Sequence, residues 1–289
     1  MNDSINPLDH TQIACTTCNY NLTGLDLTGS CPECGSKIIT NCFNCDYELV
    51  GVNPAGPCPE CGYPIEDSIG HGALSRSSPE SLATLHNGVF LIQAAAIAWL
   101  LNIFTGAILG GIYGASGQTL TPAINMALSI SLGVISLVFI LGWWKFTRID
   151  ASLYQAPKGA SALRFVRTML VLFAVVSVLN LLSNFLPQSF YNSLVGSIAT
   201  FSFLLIMLVI FFTFFIAQML YLQSIAALIL NKKVYNRSKY MIWLGPILMT
   251  VGALIILLGP LIAVILYWNM LDWIRKDLKA IRQSHHAIT

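Results

Sequence analysis

The chain has 289 residues, of which 55% are hydrophobic and only 10% charged. A soluble globular protein carries roughly 25% charged residues, so this composition excludes an ordinary water-soluble fold and points to the membrane. The formal net charge of +2 hides a division: residues 1–79 carry two basic and nine acidic residues, and residues 80–289 carry thirteen basic and four acidic.

Met1 to Thr11 is polar, with neither a basic segment nor an apolar run of the kind that opens a signal peptide. The acidic head is therefore expected on the side of the membrane where it is made. Thiols stay reduced there, so clustered cysteines are expected to be metal ligands rather than disulfides.

The head is a repeat. Cys15–Ile38 aligns without a gap on Cys42–Ile65, and twelve of the 24 positions are identical, among them Tyr20/Tyr47, Leu22/Leu49, Gly24/Gly51 and a Cys-Pro-Glu-Cys-Gly block. Each copy is Cys-x2-Cys-x12-Cys-x2-Cys. Two cysteines three apart present both thiolates from one tight turn, and two such turns supply the corners of a tetrahedral site. The expected sites are Cys15, Cys18, Cys31 and Cys34, then Cys42, Cys45, Cys58 and Cys61. Gly35 and Gly62 permit the positive φ that turns backbone N–H groups toward the sulfurs. Pro32 and Pro59 stiffen the turn entries. A unit this small cannot bury a sufficient apolar core, so metal binding is expected to supply most of its folding energy. Two Zn2+ ions are the expected occupants, with iron as the alternative. Four thiolates leave no open coordination position, so neither metal would be hydrolytic.

Nucleic-acid binding is argued against by charge. Phosphate contacts need Lys and Arg, the head is strongly acidic, and each four-thiolate zinc centre adds a formal charge of about −2. Tyr20, Phe43, Tyr47 and Tyr63 are candidates either for a small core over each metal or for a protein-binding face.

Residues 66–78 form a loose linker, and Ser78-Pro79-Glu80 signals a helix start. Five apolar runs follow, over about 88–113, 122–144, 168–186, 195–222 and 241–271. Each is near or above the roughly 20 residues needed to span a bilayer as a helix, and none alternates as a barrel strand does. The loop after the second run holds Lys145, Arg148, Lys158, Arg164 and Arg167. The loop after the fourth holds Lys232, Lys233, Arg237 and Lys239. The intervening loops are uncharged. The excess of basic residues in cytoplasmic loops places the head in the cytoplasm. Five crossings leave Arg275, Lys276, Lys279 and Arg282 on the far side, whereas a break at Gly259-Pro260 gives six and returns them. Met270, Leu271, Trp273, Ile274, Leu278 and Ile281 share a helical face, expected to lie at the interface.

No run carries an ionisable residue in its interior, which argues against ion-coupled transport. Gln93, Asn102, Asn125, Ser129, Asn180, Asn184 and Gln218 suit interhelical hydrogen bonds. Gly106, Gly110 and Gly114 form a small-residue stripe that permits close helix packing, within the chain or with a partner. No motif for nucleophilic catalysis or phosphate cradling occurs, so an enzyme is not expected.

The repeated Cys-x2-Cys-x-Tyr-x-Leu-x-Gly … Cys-Pro-Glu-Cys-Gly pattern over residues 15–65 resembles the zinc ribbons that head many bacterial multi-pass membrane proteins of uncharacterised function. The resemblance implies zinc at the eight cysteines, the ribbon-plus-membrane architecture and the inner membrane, and brings no activity. The turns also resemble rubredoxin knuckles, although rubredoxins separate theirs by a longer segment.

The expected fold is thus a small β-rich double zinc ribbon followed by an all-α polytopic bundle of five transmembrane helices, or six. It divides into an N-terminal tail (1–13), ribbon 1 (14–40), ribbon 2 (41–67), a linker (68–85), a membrane domain (86–274) and a basic tail (275–289). The expected role is protein interaction or scaffolding through the head, with lipids and another protein as partners. The rivals are a transporter or channel for a neutral or lipid-like solute capped by the ribbons, and rubredoxin-like electron transfer.

Overall fold

A computed structural model of the chain describes residues 20, 30–33, 35, 41–49, 52–53, 56–65, 68, 74, 77–149, 157–183, 185, 187–191, 193–256 and 258–288. They belong to two compact units. One joins Met1–Ser77 to Ser224–Tyr235, and the other joins Ser78–Gln223 to Asn236–Thr289.

Among the described residues the helices are α1 (Pro79–Ala115), α2 (Pro122–Phe146), α3 (Pro157–Ser183), the single turn α4 (Gln188–Tyr191), α5 (Leu194–Leu228), α6 (Lys232–Ile256) and α7 (Leu258–Ile288). Their ends follow local chemistry. The Ser78 hydroxyl accepts from the Ser81 N–H at 3.2 Å, Pro79 opens α1 and Glu80 sits in its first turn, as the sequence predicts. Thr121 caps α2 in the same way, with Pro122 at its first position. Beyond the end of α5 the chain turns through Leu230 at φ 55°. The Asn231 N–H reaches back to the Ala226 carbonyl at 2.8 Å, and the Asn231 side chain accepts from the Val234 N–H at 3.0 Å to start α6.

Four described helices are long and apolar enough to cross a membrane: α1, α2, residues Ala160–Ser183 of α3, and α5, with mean hydropathies of 1.8, 2.3, 2.2 and 2.7 over their most apolar stretches. These match the first four expected runs. The fifth run is not one helix. It is divided between α6, which ends at Ile256, and α7, which begins at Leu258. The division falls just before Gly259-Pro260, where the proline lacks an N–H and its ring opposes a helix continuing from before it.

Contacts within the membrane unit show which helix ends lie together. Arg275 of α7 donates to the Gln93 side chain of α1 at 3.2 Å and lies 5.3 Å from the Phe90 ring. Arg237, near the start of α6, stacks 4.4 Å from the Trp273 ring of α7. Arg167 of α3 donates to the Thr147 carbonyl at the end of α2. The Tyr221 hydroxyl of α5 donates to the Phe146 carbonyl of α2 at 2.7 Å. One end of the bundle therefore gathers the starts of α1, α3 and α6 with the ends of α2 and α7. The chain leaves this end along α6 and returns along α7.

Met270, Leu271, Ile274 and Leu278 are buried as one face of α7. The amphipathic pattern is present as expected, and α7 packs on α1. The small-residue stripe makes no close approach within the described residues of the chain. A Cβ on Gly106 would only graze Leu128, and Gly110 and Gly114 meet nothing within 4 Å. The close approach of α1 and α2 uses Gly88 and Gly142. A Cβ on Gly88 would lie 2.6 Å from the Phe146 nitrogen, and one on Gly142 would lie 2.9 Å from the Ile92 nitrogen. The expected polar bridges form at Gln93, through Arg275, and at Asn102, whose amide reaches Ser131 and the Leu128 carbonyl of α2.

Candidate metal centre

The second cysteine repeat forms two tight turns of nearly the same geometry. In the first, the Asp46 N–H donates to the Cys42 carbonyl at 3.0 Å and the Cys42 N–H to the Tyr47 carbonyl at 2.8 Å. In the second, Gly62 donates to the Cys58 carbonyl at 2.8 Å and Cys58 to the Tyr63 carbonyl at 2.7 Å. Each turn is flanked by one isolated antiparallel bridge, Asn41 with Glu48 and Pro57 with Pro64. No longer strand occurs among the described residues of the head. In the first repeat the Gly35 N–H meets the Cys31 carbonyl at 2.8 Å, so a third turn repeats the pattern.

The residue after each of these cysteine pairs is left-handed: Gly35 at φ 68°, Asp46 at 63° and Gly62 at 71°. Glycine adopts this conformation without a Cβ clash, and aspartate is among the few other residues that tolerate it. The sequence had marked Gly35 and Gly62. Asp46 does the same work without being glycine and was not singled out for it.

This backbone brings four sulfurs together. The Sγ atoms of Cys42, Cys45, Cys58 and Cys61 all lie within 4.8 Å of one another. Cys42 and Cys61 are 3.6 Å apart, and Cys45 and Cys58 are 3.7 Å apart. A metal held by four sulfurs at about 2.3 Å needs tetrahedron edges of about 3.8 Å, so the quartet fits. A disulfide needs a separation of about 2.05 Å, and Cys42, Cys45, Cys58 and Cys61 form none. Cys42 and Cys58 are buried with Leu49 and Ile65, against which Val52, Tyr63, Cys45 and Cys61 pack. Of the four candidate aromatics, Phe43 is buried and Tyr63 half-buried, while Tyr20 and Tyr47 are exposed. Cys31 is buried. Cys15, Cys18 and Cys34, the other ligands expected for the first site, lie outside the described residues.

The thiols ionise as a group. Burial opposes a thiolate at Cys61, but the Tyr63 N–H, the Asn44 side chain and the thiols of Cys45 and Cys42 outweigh it and bring that thiol down to about 6. The Tyr47 N–H favours a thiolate at Cys45. Burial and the competing sulfurs of Cys61, Cys42 and Cys58 prevail there and push it up to about 12. Burial raises Cys42 as well. A cluster that resists gathering four negative charges is one that a divalent cation stabilises. Filled by four sulfurs, it has no position left for water or substrate.

The same turn meets the segment Ser224–Tyr235, which joins the end of α5 to the start of α6. Asp46 forms an ion pair with Lys232. The Phe43 ring lies edge-on to Tyr235, with centroids 5.2 Å apart, and the Phe43 N–H donates to the Ser68 hydroxyl at 3.1 Å. Ile225, Ala226, Ile229 and Val234 of this segment are buried.

In comparisons with known proteins, no family model, curated protein or solved structure matches the chain. The structure and its motif define the class: a protein with membrane-spanning helices and a four-cysteine cluster able to hold a metal ion.

Proposed function

We propose that this is a non-enzymatic membrane protein whose two ribbons each hold one structural Zn2+, and whose second ribbon uses its metal-shaped turn to fix the head on the α5–α6 connection. The observation that carries this reading lies within five residues of chain. Cys42 and Cys45 supply two of the four sulfurs, and Phe43 and Asp46 of the same turn contact Tyr235 and Lys232. Metal loss frees the turn, and with it the two contacting side chains. The first ribbon, which does not share these contacts in the described residues, then serves as a surface for another protein, and the acidic charge of the head favours a basic partner.

The alternation of basic and neutral loops supports a cytoplasmic head. The opposed paths of α6 and α7 support a C-terminal tail on that same side, an even number of crossings in place of five. Iron in place of zinc turns the ribbons into electron carriers, and the red colour of an oxidised four-thiolate iron protein distinguishes that case at sight.

The test is photo-crosslinking from position 43 in the full chain. A photoreactive residue there is expected to capture the peptide spanning Ser224–Tyr235 in metal-loaded protein and to lose that capture after chelation. Capture that is absent, or indifferent to chelation, overturns the reading.

A further inference from the structure

The membrane unit contains a cavity of about 360 Å3, bordered by α1, α2, α3, α5, α6 and α7. That is within the range of ligand pockets. Its wall is largely aromatic and aliphatic, with Phe139, Phe173 and Phe214 forming one side. Phe173 and Phe214 are stacked at 5.3 Å, and Phe139 stands edge-on to Phe214. Among the described residues no Asp, Glu, Lys, Arg or His borders the space. A charged ligand would find no counter-ion among them, and the polar groups of the wall, Ser129, Ser136, Ser177, Asn180 and Gln218, are all uncharged.

One polar group is out of place. The ring of Tyr267 borders the cavity, but its hydroxyl is buried and has no hydrogen-bond partner. The buried indole N–H of Trp143 is directed at that hydroxyl, beyond hydrogen-bond distance. The tyrosine oxygen can accept from that indole, but the tyrosine O–H still needs an acceptor of its own, a need that buried polar groups rarely leave unmet. The Ser177 hydroxyl, which also borders the space, donates to the Phe173 carbonyl at 2.8 Å and is not within hydrogen-bond distance of the Tyr267 hydroxyl. Trp99, Leu181 and Phe211 border the same space and are 39%, 37% and 41% exposed on the outer face of the bundle. The cavity thus opens sideways, toward the hydrocarbon that surrounds a membrane protein.

We propose that this cavity binds an uncharged lipophile carrying one neutral acceptor oxygen. Its apolar body packs on the Phe139, Phe173 and Phe214 wall, its ketone or ester oxygen accepts the Tyr267 hydroxyl, and it enters laterally from the bilayer. The proposal goes beyond the ribbon function and rests on none of its residues.

The experiment uses the full chain in lipid nanodiscs and a long-chain ketone bearing a photoactivatable diazirine. Labelled peptides are mapped by mass spectrometry, with a plain long-chain ketone and an alkane of equal length as competitors. Label is expected on α5 around Phe211–Gln218 and on α7 around Ala263–Tyr267. One hydrogen bond to a buried donor predicts that the ketone displaces it at about tenfold lower concentration than the alkane. Tyr267→Phe, which keeps the ring, brings that ratio to about one. Ala96→Phe narrows the cavity and removes the label, and if that variant fails to fold, Tyr267→Phe decides alone. Displacement by a diacyl phospholipid as effective as by the ketone identifies the acceptor as a bilayer lipid's ester. Displacement by the ketone alone identifies a free lipophile. Label scattered over the outer helix faces, equal competition by ketone and alkane in the unaltered protein, or an unchanged ratio in Tyr267→Phe overturns the proposal.

Discussion

Asp46, one residue past the ligand Cys45, pairs with Lys232, the first residue of α6. The two lie 186 positions apart in sequence, so a metal-binding turn and a helix start share one ion pair. Asp46 is also left-handed at φ 63°, so its side chain serves the pair while its backbone serves the metal turn.

These two roles separate by mutation. Asp46→Asn keeps a residue that tolerates the left-handed region and removes only the charge. The Asp46 side chain is 69% exposed, and an exposed pair contributes at most about 1 kcal/mol, less at high salt. Asp46→Val removes the charge and also forces a β-branched residue into positive φ, an additional cost of about 1–3 kcal/mol. Chelator competition is expected to show metal retention near normal for Asp46→Asn and clearly weakened for Asp46→Val. Equal loss in both variants would mean that the turn does not depend on its backbone conformation.

Metal content follows from the repeat. Elemental analysis of the detergent-purified chain is expected to give two zinc ions. Cys58→Ser removes a buried sulfur from the second quartet and is expected to leave one. A variant retaining both ions would remove Cys58 from the ligand set.

Glycine positions give a contrast in membrane-unit stability. At Gly88 even a methyl group meets the backbone of α2 at 2.6 Å, where neither side can yield cheaply. Gly88→Ala is expected to cost about 1–3 kcal/mol through overpacking. Gly110 faces open space, and Gly110→Ala is expected to be neutral, or to stabilise by up to about 1 kcal/mol through helix propensity. Thermal unfolding in one detergent measures both. Equal effects would mean that α1 and α2 do not cross at Gly88.

The direction of α7 predicts topology. Arg275 beside Gln93 and Trp273 beside Arg237 bring the end of the chain back to the bundle end where α1 begins. A tag after Thr289 and a tag before Met1 are expected to show the same accessibility to protease in sealed vesicles. Opposite accessibility would restore the five-crossing arrangement.

What the sequence by itself determined is local. The cysteine quartet needed only a spacing, because a tetrahedral site built from two short turns is specified by the residues inside those turns. Ser78-Pro79 and Thr121-Pro122 announced their helices, because a cap is satisfied within one turn of chain. The first four membrane helices were legible as length and apolarity, which the bilayer requires of any helix that spans it. What only the tertiary structure decided are the meetings of distant segments. Gly88 and Gly142 look no different in sequence from Gly106 and Gly110, and only the crossing of α1 and α2 selects them. The fifth apolar run reads either as one span or as two legs broken at Gly259-Pro260, since hydropathy carries no direction, and packing against α1 is what shows α7 returning. Asp46 reads as one more acidic residue until its backbone torsion and Lys232 give it a place. The lone hydroxyl of Tyr267 becomes visible only when six helices enclose the space beside it. Short-range rules act through bonds and hydrogen bonds along the chain, whereas close packing depends on which side chains arrive together, and that is a property of the whole bundle.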